Sequence, residues 1–496
     1  MRDLKSGQGY AVPPNSFRGL LALSLVPLLI GSVSGVWACY AVVVGRNASA
    51  DGSVLVGHNE QNGGRRILNF RRIPRQRFAD GAVLQLRRGG ELAQVRETYA
   101  FFWSENPGLE FSDAYVNEWG VAIVSDGCPT REDGYKALVR RGEIRDGGVG
   151  YMLRRLVAQR AATAREGVQI AGKLIERFGY VDSGRTYVIA DPNEAWLLAV
   201  VRGRRWIAQR VSDDAVVLLP NVYIIEEVDM TDSENVLASP DIVDYAIERG
   251  WFDPNGGEPF NFRKVYRAKR NDPPDPRQYR GQQLVTGRDV GWPPKESLPF
   301  AVNPAKKMTV AAVIEILRDA GGPTPICVPA TQEAVVFQLR AHLPREVGCV
   351  CWRTTAEPCI SPLTPWYLGM TETPKCYYRP IDIKTHLSLK HHFSPPRGTF
   401  APDPKLAWWK FKRLQDVVHE DYNNRIKTVR IVWEALENRE FQEQQTFEKR
   451  ILQSLQADSD AACADLTHYC TSLALQACHE ADKLADEFGS GKRERD

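Results

Sequence analysis

The stretch CYAVVVG (39–45), the turn that follows it and the run VLVGHN (54–59) constrain the fold more than any other part of the sequence. Valine is branched at Cβ and stiff at χ1, so CYAVVVG suits a pleated strand better than a helix. The intervening RNASADGS carries Asp51-Gly52, a pair fitted to reverse the chain between two strands. The two apolar runs are therefore expected to pair as an antiparallel hairpin that begins at Cys39. A sheet has to be built around it.

What precedes Cys39 has a different character. Arg2, Lys5 and Arg18 come before the apolar run LLALSLVPLLI (20–30), and the small-residue stretch GSVSGVWA closes the segment. A basic start, a short apolar core and a small residue before the cut define a secretory signal. Val36 and Ala38 would occupy the −3 and −1 positions of cleavage before Cys39. The run is short for a span of about 20 residues and is interrupted by Pro27, Gly31 and Gly35. Residues 1–38 therefore read as a cleaved signal peptide, and the protein as exported to a periplasm or the exterior. Its membrane contact is expected only through that peptide or a lipid on Cys39.

With 496 residues the chain can bury a large core, and its 64 basic and 61 acidic side chains leave a net charge of +3. Since no basic patch or stripe stands out, a nucleic-acid partner is not expected. Ten cysteines suit an oxidising compartment, although their pairing is not readable. Cys349-Val350-Cys351 lacks zinc-ribbon spacing and a nearby His. His391-His392, beside Lys390, lacks a third ligand at helical or strand spacing and reads as exposed loop. No metal or organic cofactor is expected.

Further strands are expected at 82–87, 98–103 and 120–125. From 150 to 178 apolar residues recur at three and four, with Thr163 and Glu166 spaced as a capping box for a second helix. Strands return at 185–191, 194–201, 205–211 and 221–228. Residues 240–300, rich in Pro and Arg, read as connecting excursions. A helix follows from 309, then strands at EAVVFQLR and EVGCVCWR, then a Pro-rich stretch to about 404. Strands, helices and strands in that order suggest two antiparallel sheets with helices packed on them. No convincing linker interrupts the mature chain, which is expected to be one large domain: a main part over 39–404 and a helical, charged C-terminal part of the same domain over 405–496.

Cleavage before Cys39 would place a thiol and a free α-amine on one residue. With an ordinary pKa of about 7.7–8.0 the amine can accept a proton near neutrality, and such self-activation is a known scheme. Two other readings stand beside it: a buried structural thiol, and a lipidated cysteine, for which Trp37 at −2 is a poor fit.

The order Cys39, Gly45, Ala48-Ser49, Asp51-Gly52-Ser53 and Asn59-Glu60 resembles the start of the family C69 dipeptidases. These are thiol peptidases of the N-terminal nucleophile hydrolase superfamily, and secernins are similar to them. The resemblance continues through Asn117-Glu118-Trp119-Gly120-Val121, Ala190-Asp191, Glu194-Ala195-Trp196 and Pro220-Asn221. It then takes in Arg318-Asp319, Leu343-Pro344, Trp366-Tyr367 and Ala407-Trp408-Trp409, so it spans nearly the whole mature chain. It implies a four-layer αββα sandwich and hydrolysis of dipeptides or short peptides through an acyl-enzyme. Cys39 would be the nucleophile with its own amine as base, and the Asn221 amide would help hold the oxyanion.

One segment departs from the family. Where members commonly read Arg-Asn-Glu-Asp, this chain has His58-Asn59-Glu60-Gln61. His58 is expected to donate a hydrogen bond at the nucleophile and Gln61 to accept one from the α-amine. A neutral amide stabilises an ammonium less than a carboxylate does, which leaves the amine more often neutral. Asn59, Glu60 and Asp126 are the candidates for binding substrate, and Glu118, Arg46, Arg65 and Arg66 are further charged residues near matched motifs. The alternatives are an amide acylase on the same fold, or a lipid-anchored or secreted binding protein without activity. Oligomeric state is not legible.

Overall fold

The hairpin announced by the sequence forms, and it lies inside a sheet rather than at an edge. The structure, a computed structural model, describes residues 39–61, 69–108, 114–150, 152–269, 274–321 and 324–490. The signal-peptide reading of 1–38 and the candidates Arg65 and Arg66 lie outside the described residues. In chain order the principal strands begin with β1 (Tyr40–Val44), β2 (Val54–Gln61), β3 (Asn69–Ile73), β4 (Phe101–Glu105) and β5 (Tyr115–Asn117). Then come β6 (Ala122–Gly127), β7 (Tyr180–Ala190), β8 (Ala195–Gly203), β9 (Trp206–Arg210) and β10 (Val216–Leu219). The last are β11 (Val236–Ala238), β12 (Thr331–Leu339), β13 (Cys349–Arg353) and β14 (Thr364–Tyr367).

They form two antiparallel sheets, one ordered β10-β1-β2-β12-β13-β14 and the other β11-β9-β8-β7-β6-β5-β4-β3. β1 pairs with β10 on one side and β2 on the other. Every residue of β1 is buried, which accounts for its unbroken apolar character: both faces are covered. In the second sheet Val124, Val188 and Leu197 join the core shared with β1 and β2. Their neighbours Ile123, Ile189 and Leu198 face the other way, into the core under α1 (Met152–Ala158) and α2 (Ala164–Phe178). Alternation with period two thus sorts the side chains between the inter-sheet layer and the helical layer.

The outer face of the first sheet is covered by α3 (Pro276–Thr286) and α4 (Val310–Leu317). α2 starts where the sequence places it, with the Thr163 hydroxyl accepting from the Glu166 N–H at 3.1 Å. Thr309 caps α4 in the same way through the Ala312 N–H. Gly57 lets α4 approach β2 closely, since a Cβ there would sit 2.5 Å from Val313 Cγ1. The four layers are those expected, helix, sheet, sheet, helix, with a helical C-terminal region of α5 (Ala407–Glu420), α6 (Tyr422–Ala457) and α7 (Ser459–Ser490).

Some expectations are corrected. Residues 221–228 form no strand; Pro220 cannot donate to a ladder, so pairing stops at Leu219 and 216–219 is the strand instead. Val222, Tyr223, Ile224 and Ile225 still fill the core as irregular chain. Arg345–Gly348 is a helical turn, so the following strand begins only at Cys349. His391 and His392 are not exposed: they belong to the helical turn Leu389–Phe393 and are buried.

Glu440 on α6 yields a stability prediction. Its carboxylate is 1% exposed, and neither oxygen accepts a hydrogen bond among the described residues. Burial, reinforced by Glu437 and Glu443, raises its pKa well above the ordinary value. A raised acid favours the fold fully below its unfolded pKa of about 4.3, and that contribution is lost as pH rises through the folded value. Glu440→Gln is therefore expected to stabilise the protein by about 1–3 kcal/mol at pH 8, with the gain vanishing near pH 4. Urea midpoints of the two proteins at both pH values check this.

Candidate active site

Cys39 immediately precedes β1, and the register fixes what surrounds it. Tyr40 pairs with Asn59 and Ala41 with His58, so Cys39 stands across from Glu60. Alternation turns Cys39, His58 and Glu60 to one face of the sheet and Tyr40, Asn59 and Gln61 to the other. Cys39 Sγ, a ring nitrogen of His58 and a carboxylate oxygen of Glu60 lie within 4.8 Å of one another, all buried. From β6 in the opposite sheet, Asp126 brings Oδ2 to 3.8 Å from His58 Nε2, both side chains being fully buried. A thiol, an imidazole and two carboxylates thus meet between the sheets.

An arginine from the helical layer completes the group. The side chain of Asp275 accepts from the N–H groups of Arg277 and Gln278, and Pro276 sits in the first turn, so α3 starts firmly. Arg277 then donates through Nη1 to the Cys39 carbonyl at 3.1 Å and through Nη2 to Asn221 Oδ1 at 2.9 Å. With its oxygen turned toward Arg277, the Asn221 amide presents its N–H groups elsewhere. A Cβ on Gly127 would lie 3.9 Å from Asn221 Nδ2 and 4.0 Å from Arg185 Nη2, so the missing side chain leaves room between them. Arg185 donates to Ser125 Oγ and the Tyr180 hydroxyl, each at 3.2 Å. Burial opposes its charge, yet Tyr180, Tyr187, Asp182 and the Cys39 thiol together carry its pKa well above the ordinary guanidinium value.

The structure brings together Cys39, His58, Glu60, Asp126 and, through Arg277, Asn221. It turns Asn59 and Gln61 away. Asn59 Nδ2 donates to the carbonyls of Leu317 and Ile326, at 2.8 and 3.3 Å. Gln61 Nε2 donates to the same Ile326 carbonyl at 2.8 Å and to Thr331 Oγ1 at 3.1 Å. Glu118 and Arg46 make surface pairs with Arg75 and Asp213. Arg277 and Arg185 are not among the residues singled out from the sequence. For Arg277 the signal was present: Asp275-Pro276 is a helix-start pair inside a stretch that reads as mere connection.

Chemically, Cys39 differs from the other buried thiols. Burial pushes Cys128, Cys349 and Cys470 each up to about 12, which removes them as nucleophiles near neutrality. Cys39 instead has an imidazole and a carboxylate within 4.8 Å of its sulfur, and its backbone carbonyl is held by Arg277. The thiol, imidazole and carboxylate could also hold a thiophilic cation, which would occupy the nucleophile.

A model of peptidase family C69 matches residues 38–435. A probable dipeptidase of Salmonella dublin is 28% identical over 387 residues, covering 73% of this chain and 87% of that protein. A probable dipeptidase of Latilactobacillus sakei is 24% identical over 414 residues, covering 78% and 82%. Among solved structures, penicillin V acylase from Agrobacterium tumefaciens matches with a TM-score of 0.34 and 14% identity, over 66% of this chain and 86% of that one.

Proposed function

The chain belongs to peptidase family C69, and from that membership we propose that it is an exported dipeptidase whose nucleophile is Cys39. The observation that carries the reading is the convergence of His58, Glu60 and the Arg277–Asn221 pair on that one residue. Removal of the leader would give Cys39 a free α-amine, and that amine takes the thiol proton. The sulfur then attacks the scissile carbonyl carbon, and the carbonyl electron pair moves onto oxygen, where the Asn221 amide donates to it. A donor of this kind is worth about 2.7–4 kcal/mol in a measured case. Collapse breaks the C–N bond, and the leaving amine recovers the proton held by the α-ammonium. Water, deprotonated by the same amine, cleaves the thioester and frees the second product.

His58, backed by Asp126, stands beside the sulfur and stabilises its anionic form. Glu60 offers the substrate's ammonium group a buried carboxylate. His58→Ala is expected to lower kcat/KM by roughly 10²-fold, whereas Gln61→Ala, on the opposite face, leaves turnover nearly unchanged. Steady-state kinetics on one dipeptide distinguish the two; equal losses would place Gln61 in the site as well.

The test of the whole reading is N-terminal sequencing and intact mass of the protein from its native host, followed by a panel of dipeptides and acylated amines. A free terminal Cys39 with dipeptide turnover is the expected result. A diacylglycerol-sized mass on Cys39, or turnover confined to acylated amines, would overturn it.

A further inference from the structure

Three of the chain's eight histidines gather around one buried carboxylate, away from Cys39. Glu105 ends β4, His386 ends the helical turn Ile383–His386, and His391 and His392 lie in the turn Leu389–Phe393. All four side chains are buried, none more than 3% exposed. His386 Nε2 is 3.0 Å from Glu105 Oε2, His391 Nε2 is 3.2 Å from Glu105 Oε1, and His392 Nδ1 is 3.8 Å from the same Oε1. One atom each of Glu105, His386 and His391 fall within 4.8 Å of one another.

Two features set this apart from an ordinary buried ion pair. First, three imidazoles converge on a single carboxylate, with His386 on Oε2 and His391 and His392 on Oε1, where one would suffice for a buried ion pair. Second, the spacing suits zinc. Nitrogen and oxygen ligands at about 2.0–2.2 Å from a tetrahedral ion are separated by roughly 3.3–3.5 Å; the 3.0 and 3.2 Å contacts, one to each oxygen of Glu105, are close to that separation, and one atom from each of the three residues lies within 4.8 Å of the others. Outer partners are also in place: Asn69 Nδ2 donates to Glu105 Oε2 at 2.6 Å, and Trp103 packs its ring against His386 and His392. Such partners orient ligands and shield the ion.

We propose that Glu105, His386 and His391 form a structural site for a divalent transition metal, of which zinc is the best fit, with His392 packed beside them. The ion would staple the segment 383–393 to the end of β4. Arg71 Nη1 lies 3.3 Å from His386 Nδ1 and also donates to the Ile381 carbonyl. When His386 turns a lone pair on Nε2 to the ion, its proton resides on Nδ1, and Arg71 keeps only the Ile381 contact.

The experiment uses the full chain, stripped with a chelator and titrated with Zn²⁺ against a competing indicator. It compares Glu105→Gln and His391→Ala with Cys39→Ala and Cys359→Ser, which disable the thiol clusters at Cys39 and at Cys327, Glu357 and Cys359. The expected result is one equivalent of zinc that weakens at least tenfold in the first two variants and persists in the last two. Loss of that equivalent in a cysteine variant, or no binding by the unaltered chain, overturns the proposal. Cobalt loading of the unaltered chain serves where a variant fails to fold. Ligand-field bands without thiolate-to-metal charge transfer support the histidine site, and a single equivalent with charge transfer refutes it.

Discussion

Cys39→Ala is expected to lower kcat/KM for a dipeptide by about 10⁴–10⁶-fold, the scale seen when a covalent nucleophile is deleted. The residue is 8% exposed, and the substitution removes a single heavy atom at the start of a fully buried strand. Folding should therefore survive, with less than about 1 kcal/mol lost. Cys39→Ser separates nucleophilicity from packing, because the hydroxyl fills the same space but ionises far less readily. Both variants should keep the near-ultraviolet circular dichroism of the parent while losing turnover. Residual activity above a hundredth of the parent in Cys39→Ala would exclude Cys39 as the attacking group.

The second large effect is one of stability. Arg353→Met should destabilise the fold by about 3–5 kcal/mol, the typical cost of leaving one member of a buried ion pair without the other. Arg353 Nε and Glu333 Oε2 are 2.5 Å apart, with side chains 1% and 0% exposed. Glu333 also accepts from Ser104 Oγ, at 2.9 Å, across the gap between the sheets. Arg353 donates to Thr355 Oγ1 and lies over the Phe70 ring. Glu333 is paired in register with Glu60, so the buttress stands on the strand beside the one that carries His58 and Glu60, and turnover should fall with stability. Removing both charges in a Glu333→Met, Arg353→Met double variant should recover most of the loss, since no charge is then stranded. Urea unfolding of the three variants decides it; a single-variant loss under about 1 kcal/mol would mean that water or another cation serves Glu333 instead.

The layered fold was legible because local signals and burial agree over most of it. The Asp51-Gly52 turn, the Thr163 cap and the helical period before Phe178 each appear where propensity and pattern place them. The exceptions have physical reasons. VVLL (216–219) is too short to stand out as a strand, yet it is the neighbour that buries β1. NVYIIEEV has strand composition, but Pro220 closes the ladder before it. α3 has too weak an apolar face to betray a helix, and Arg277 was hidden with it. Within the site, period two was enough to separate His58 and Glu60 from Asn59 and Gln61; a family motif taken as one block of four conceals that split. The buried histidines were not legible because their carboxylate lies 281 positions earlier in the chain.

The sheet that carries Cys39 and His58 has a consequence for how the protein is made. β2 must pair with β12, and the contact between Asp51 and Gln338 spans 287 positions. At roughly 5–20 residues per second of synthesis, the strand carrying His58 and Glu60 waits on the order of 15–60 s for its neighbour. During that interval the β1–β2 hairpin offers an open, apolar edge of the kind that recruits other chains. Formation of the thiol site is therefore a late event in folding, and the yield of folded protein should depend on whatever shields that edge until the C-terminal half arrives.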